Sequence, residues 1–230
     1  MKIKTVFYTL MITLAISSCG NKKNSYDELA SSGRTTRTEN LKSNLIKFNS
    51  KGVMIGQMYG TLEGIGWKNE KSKSDFFNIC HDNPAVNGYE LSGIESNKKT
   101  NIDGLQFSWI AKNAISAFKQ GSMIVMNWTA PNYNGNKSIL KAYVKSLSNF
   151  INNLQDGYGI KVPIVLYLYP VDGKSWYCNL SIDKYKKLYE DTKDMLNDNK
   201  VTNVILGYSE TYKNNDFLEK YPEDAEIGRA

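Results

Sequence analysis

Apolar residues recur along the chain at two periods, and the switching between them predicts the architecture. Leu41, Leu45 and Phe48 have helical spacing, after which Gly52 introduces Val53, Met54, Ile55, Gly56 and Gln57 as a first strand. A Gly-rich loop carrying Trp67 follows, and Phe76, Phe77 and Ile79 suggest a short helix. Residues 84–90 read as a second strand with Glu90 at its end. Leu105, Trp109, Ile110, Ala114, Ala117 and Phe118 share one helical face, which Gly121 stops.

Residues 122–128 form a third strand, whose unbroken apolar centre suits a parallel strand covered on both faces. Ile139, Tyr143, Leu147, Phe150, Ile151 and Leu154 repeat at helical spacing. A fourth strand at residues 162–169 runs into a polar, aromatic loop. The next helix carries Ile182, Tyr185, Leu188, Tyr189, Thr192 and Leu196, with Ser181 as its cap. Residues 204–208 give a fifth strand, with Ser209 and Glu210 at its end.

This strand–helix alternation argues for a parallel α/β architecture with right-handed crossovers. An open doubly wound sheet and a barrel both satisfy it. No nucleotide-binding glycine fingerprint follows the first strand, where the chain reads Gly56, Gln57, Met58, Tyr59, Gly60. That favours a barrel, with about five strand–helix units present. In such folds chemistry sits where strands end, which makes the loop after the fourth strand the place to look.

The first residues read as an address. Lys2 and Lys4 precede an apolar run over residues 6–15, too short to span a bilayer and built like a secretory signal. Ile16, Ser17, Ser18, Cys19 and Gly20 resemble a bacterial lipobox, in which the cysteine is acylated. The expectation is a lipoprotein signal over 1–18, a lipidated Cys19 with a polar tether over 19–40, and one domain over 41–230. A lipid at Cys19 holds a protein to the bacterial cell envelope without crossing the membrane.

Composition narrows the classes further. With 41% hydrophobic and 23% charged residues the chain is ordinary globular. Its net charge of +6 falls by two if Lys2 and Lys4 leave with the signal, and the rest is spread without a basic block. That pattern argues against nucleic acid as a partner. Cys80 and Cys178 remain, either as a disulfide or as buried free thiols. Two cysteines and the single His81 do not make a structural zinc site, and nothing calls for a cofactor. The 15 tyrosines and 4 tryptophans suit wet binding clefts and core edges alike.

Several stretches together resemble glycoside hydrolase family 26, the β-mannanase family of (β/α)8 barrels. Gly56 and Gln57 close the first strand. Residues 84–90 resemble the family's Pro-Ala-Val-x-Gly-aromatic-acid segment, and residues 121–128 its Gly-led strand ending in Trp. Residues 163–177 resemble the strand and loop of the acid/base glutamate, with Gly173, Trp176 and Tyr177 in register. Residues 203–205 and 221–224 resemble the next two landmarks. The match runs from about residue 41 to 224.

The resemblance implies a TIM barrel acting on β-mannan or a related β-linked glycan. It also implies a glutamate acid/base in a His-Glu pair after the fourth strand and a nucleophilic glutamate after the seventh. In this register the pair falls on Tyr169 and Pro170, the strand's arginine on Leu166, and the histidine after the third strand on Thr129. Asp172 falls where the family has asparagine, and reads as a turn residue before Gly173 or as a weak stand-in for the acid. Glu210 is the other weak candidate.

Residues 41–230 fall short of the roughly 250 that such a barrel takes. After residues 221–224 the pattern offers no apolar strand, so the nucleophile's strand is expected to be missing. Trp128, Tyr169, Trp176 and Tyr177, with Gln57, Glu90, Asn127 and Asp172, are the candidate sugar contacts, or else rim and core packing. Three readings stand: a weak or inactive mannanase-like hydrolase, a non-catalytic carbohydrate-binding lipoprotein, and a truncated product without independent function.

Overall fold

The computed structural model describes residues 28–49, 51–71, 73–96, 98–209, 221–223 and 225–229. The proposed signal, Cys19, Glu210 and Asp224 lie outside them. The first helix, α1 (Thr36–Phe48), starts inside the stretch expected to be a tether. Thr35, buried, caps it by accepting from Thr38 N, and its own amide bonds Thr202 O at 2.9 Å. Arg37 pairs with Asp156 at 3.0 Å and lies over the Phe118 ring. Arg34 and Lys42 both reach Glu226. These are polar anchors, which hydrophobic periodicity does not register.

The first strand is short. β1 (Gly56–Met58) leaves Val53, Met54 and Ile55 outside it and exposed, contrary to the expectation. β1 finds a strand partner on one side only among the described residues, so nothing there covers that apolar run. The glycine-rich loop is a small antiparallel hairpin, β2 (Glu63–Gly64) and β3 (Trp67–Lys68). Asp75 pins it by accepting from Trp67 Nε1 at 2.7 Å and Ile65 N at 2.6 Å. The expected short helix is α2 (Asp75–Cys80), capped by Ser74.

The alternation then runs as the periodicity predicts: β4 (Val86–Glu90), α3 (Phe107–Lys119), β5 (Met123–Trp128), α4 (Lys137–Asn152), β6 (Ile164–Leu168), α5 (Ile182–Asp198) and β7 (Val204–Ser209). Ser181 sits at the start of α5, but its side chain makes no cap bond. A strand absent from the sequence reading follows, β8 (Ile227–Arg229), parallel to β7. Its few residues carry one large apolar side chain, too little for a strand pattern. Backbone pairing to β7, with Glu226 N on Leu206 O, puts it in the sheet.

The main sheet has six parallel strands in the order β1-β4-β5-β6-β7-β8. Strand neighbours follow chain order, as in a barrel wall and unlike a doubly wound sheet. One face packs on α3, α4 and α5 through Ile124, Met126, Trp128, Ile164, Leu166 and Leu206. On the other, inner face, Val165, Tyr167 and Ile205 cluster with Leu41 and Leu45 of α1, and with Met123, Val125 and Ile227. The cover of β5 is therefore unequal: alternate residues are buried, and Met123, Val125 and Asn127 are half-buried. Cys80 and Cys178 are free thiols, with burial pushing the Cys178 thiol up.

Candidate active site

Parallel pairing sets directly opposed residues on the same face. Glu90 pairs with Asn127, Asn127 with Tyr167, Tyr167 with Gly207 and Gly207 with Ile227. Tyr167 and Ile227 belong to the inner-face cluster, so this row lines the inner face near the carboxyl ends of the strands. Glu90 and Asn127 are half-buried there.

Glu90 is held by its surroundings. Its Oε1 accepts from Ser92 N at 2.8 Å and from Ser92 Oγ at 2.5 Å. Ser92 Oγ in turn accepts from Thr129 N at 2.8 Å, which ties the ends of β4 and β5 together. Behind the strand, Tyr59 donates to Asp103 at 2.5 Å and accepts from Glu90 N, while Asn101 Nδ2 bonds Glu90 O at 2.9 Å. Burial raises the Glu90 carboxyl above the ordinary glutamate range despite the Ser92 bonds. Burial, and Asp103 beside it, keep Tyr59 a phenol.

The loop after β6 points elsewhere. Tyr169 takes a left-handed backbone, φ 50°, and its ring is buried among α5, with the hydroxyl 2.7 Å from Thr192 Oγ1. Tyr185 Oη donates to Tyr169 O, and Tyr177 Oη to Pro170 O. Pro170 thus stands at the expected acid/base position with its carbonyl occupied and no proton to give. Asp172 closes a turn by accepting from Lys174 N at 2.8 Å, Ser175 N at 2.7 Å and Ser175 Oγ at 2.8 Å. Its partial burial pushes upward, but these bonds outweigh it and leave the carboxyl below the usual range. Asp172 is a loop anchor, ionised at neutral pH.

The sequence candidates therefore separate. Glu90 and Asn127 come together on the inner face. Trp128, Tyr169 and Tyr177 are fully buried on the helix side, where Trp128 and Tyr169 ring centres lie 5.7 Å apart and those of Tyr169 and Tyr177 5.3 Å apart. No face of those rings is open to a ligand. Trp176 is half-buried and donates to Ala130 O at 2.8 Å. Gln57 pairs with Asn87, which is fully buried and opposes Ile124, so it too faces the helices. Tyr167, Ser92 and the Tyr59–Asp103–Asn101 brace were not singled out in the sequence. Tyr167 was legible in principle, as the tyrosine within the apolar run that becomes β6, whereas Tyr169 lies just past its end.

Comparison with known proteins places this arrangement. Residues 129–227 match the model of glycosyl hydrolase family 26. The GH26 β-mannanase BoMan26A from Bacteroides ovatus superposes with a TM-score of 0.79 at 26% identity, covering 85% of this chain and 66% of that one. A modular endo-β-1,4-mannanase from Cellulomonas fimi gives 0.73 at 21% identity, covering 89% and 52%. The YdhT protein from Bacillus subtilis gives 0.66 at 15% identity, covering 90% and 71%. The chain thus spans between half and two thirds of the length of these two mannanases. Residues 129–227 thus carry the signature of glycosyl hydrolase family 26, and the described residues form an incomplete (β/α)8 wall similar to that of these mannanases.

Proposed function

We propose that the chain binds a β-linked glycan of the mannan type at the carboxyl ends of its strands, with little or no hydrolysis by the residues described. The observation that carries this reading is the inner-face row of Glu90, Asn127 and Tyr167. The carboxyl of Glu90 and the amide of Asn127, half-buried on adjacent strands, offer acceptors and donors that match sugar hydroxyls, and Tyr167, 7% exposed, is the largely buried ring beside them. The two mannanases among its structural relatives support the choice of glycan.

Retaining hydrolysis needs two carboxyl groups about 5–5.5 Å apart, one able to give a proton. Asp172 is ionised and occupied by its turn, and Glu95 spends its oxygens on Gly93 N and Trp128 Nε1. Among the carboxyl groups of the described residues, Glu90 has the raised proton affinity that an acid needs. The lipobox-like residues at Cys19 support a lipid-anchored protein of the bacterial envelope. In that case Cys19→Ala moves it to the soluble fraction.

Electrophoresis of the purified protein through gels containing β-mannan tests the binding. Retardation that Asn127→Ala weakens is the expected result. Equal mobility with and without mannan would overturn the reading. Release of reducing ends, abolished by Glu90→Gln, would overturn the lack of hydrolysis and leave the site in place.

A further inference from the structure

A groove of about 600 Å3 lies between the loop after the β2–β3 hairpin, α2 and α3, and its lining comes from none of the residues at the inner-face site. Trp109 packs one side on the core and remains half-buried at the groove, and Phe77 faces the same space with 45% of its surface exposed. Around the two rings stand the side-chain amides of Asn69, Asn83 and Gln120 and the ammonium of Lys112. None of these four, nor the Trp109 indole N–H, has a side-chain hydrogen-bond partner among the described residues.

The groove walls are fixed independently of any ligand. Asn113 on α3 accepts from Thr61 Oγ1 at 2.9 Å and Tyr89 Oη at 2.7 Å, and returns a bond to Thr61 O at 2.8 Å. Asp75 holds the hairpin, and Asn69 N bonds Leu62 O at 2.7 Å. A surface held this way loses little freedom when something binds it.

We propose that this groove is a second glycan-binding site, separate from the strand-end site, for neutral β-linked hexose oligosaccharides. An amide both donates and accepts, as a sugar hydroxyl does, and three amides beside two rings can pair hydroxyls while the rings cover C–H faces. The lining also carries Lys71, Lys73 and Lys112, with Lys73 paired to Glu70 at 2.6 Å, so an anion would be held by exposed point charges and released by salt, whereas hydroxyl pairing to the amides is insensitive to it.

Calorimetric titration of the full chain with mannohexaose and with cellohexaose tests the site. Trp109→Ala should weaken one class of binding about tenfold or more. Because Trp109 also touches the core, Lys112→Ala combined with Gln120→Ala, exposed residues on α3 and at its C-cap, provides a second variant whose fold is checked by circular dichroism. Both variants should lose the same class, and raising the salt should leave that class unchanged. Asn127→Ala reports on the strand-end site alone, so a failure there leaves this proposal standing. Variants that titrate like the parent, or binding confined to polyanions and abolished by salt, would overturn it.

Discussion

Tyr167 lies so close over Gly207 that a β-carbon on that glycine would sit 2.6 Å from the ring. The two residues are directly paired across β6 and β7, and the missing side chain is what lets the ring lie flat within the inner-face row. Glycine in a strand commonly marks such a close approach.

Gly207→Ala should therefore push the Tyr167 ring aside. The expected cost is about 1–3 kcal/mol, the usual range for overpacking a filled site. Urea unfolding measures it, and gels containing β-mannan should show weaker retardation of the folded variant. An unchanged unfolding midpoint would mean that the Tyr167 ring does not occupy this space.

Glu90 gives the chain a pH dependence opposite in sign to that of a paired surface carboxylate. Burial raises its folded-state pKa above the unfolded value, so the folded form binds the proton more tightly. That contribution is fully present below the ordinary glutamate pKa, about 4.3. It is lost as pH rises through the raised folded value. Glu90→Gln cannot ionise, and its amide oxygen can still accept from Ser92. Relative to the parent, the variant should gain stability across that window and hold a constant difference above it. Unfolding measured at a series of pH values checks this; parallel profiles would contradict the assignment.

Trp128 separates core from cleft. Its ring is fully buried, tilted against that of Tyr169, with Nε1 donating to Glu95 at 3.2 Å. Trp128→Ala should cost roughly 3–5 kcal/mol, as large-to-small core changes do. Trp128→Phe should keep the fold and retain mannan binding. If a well-folded Trp128→Phe lost retardation while Asn127→Ala kept it, the ring would belong to the binding surface.

Much of the architecture was legible in the residues alone. The helical spacing of Leu147, Ile151 and Leu154, and the apolar runs at residues 122–128 and 162–169, place elements where the chain folds them. The short ends escaped. β8 has a single large apolar residue and is a strand through pairing with β7, while Val53 and Ile55 have the right composition and, among the described residues, no strand covering the free side of β1. Residues 36–40 joined α1 behind a local threonine cap, held by arginine ion pairs to Asp156 and Glu226, residues far away in sequence.

The site divides along the same line. The sequence determined that polar and aromatic residues gather at the strand ends, and that proline stands at the position where the family resemblance implies an acid. It did not determine which of them face inward. Side chains alternate along a strand, so one step separates Asn127 on the inner face from Trp128 among the helices. In β6 every residue is buried, so no polar–apolar contrast in its sequence marks one face from the other. Only the packing of α3, α4 and α5 against one face, and of α1 against the other, decided that Tyr167 joins Glu90 and Asn127 while Tyr169 and Tyr177 fill the core.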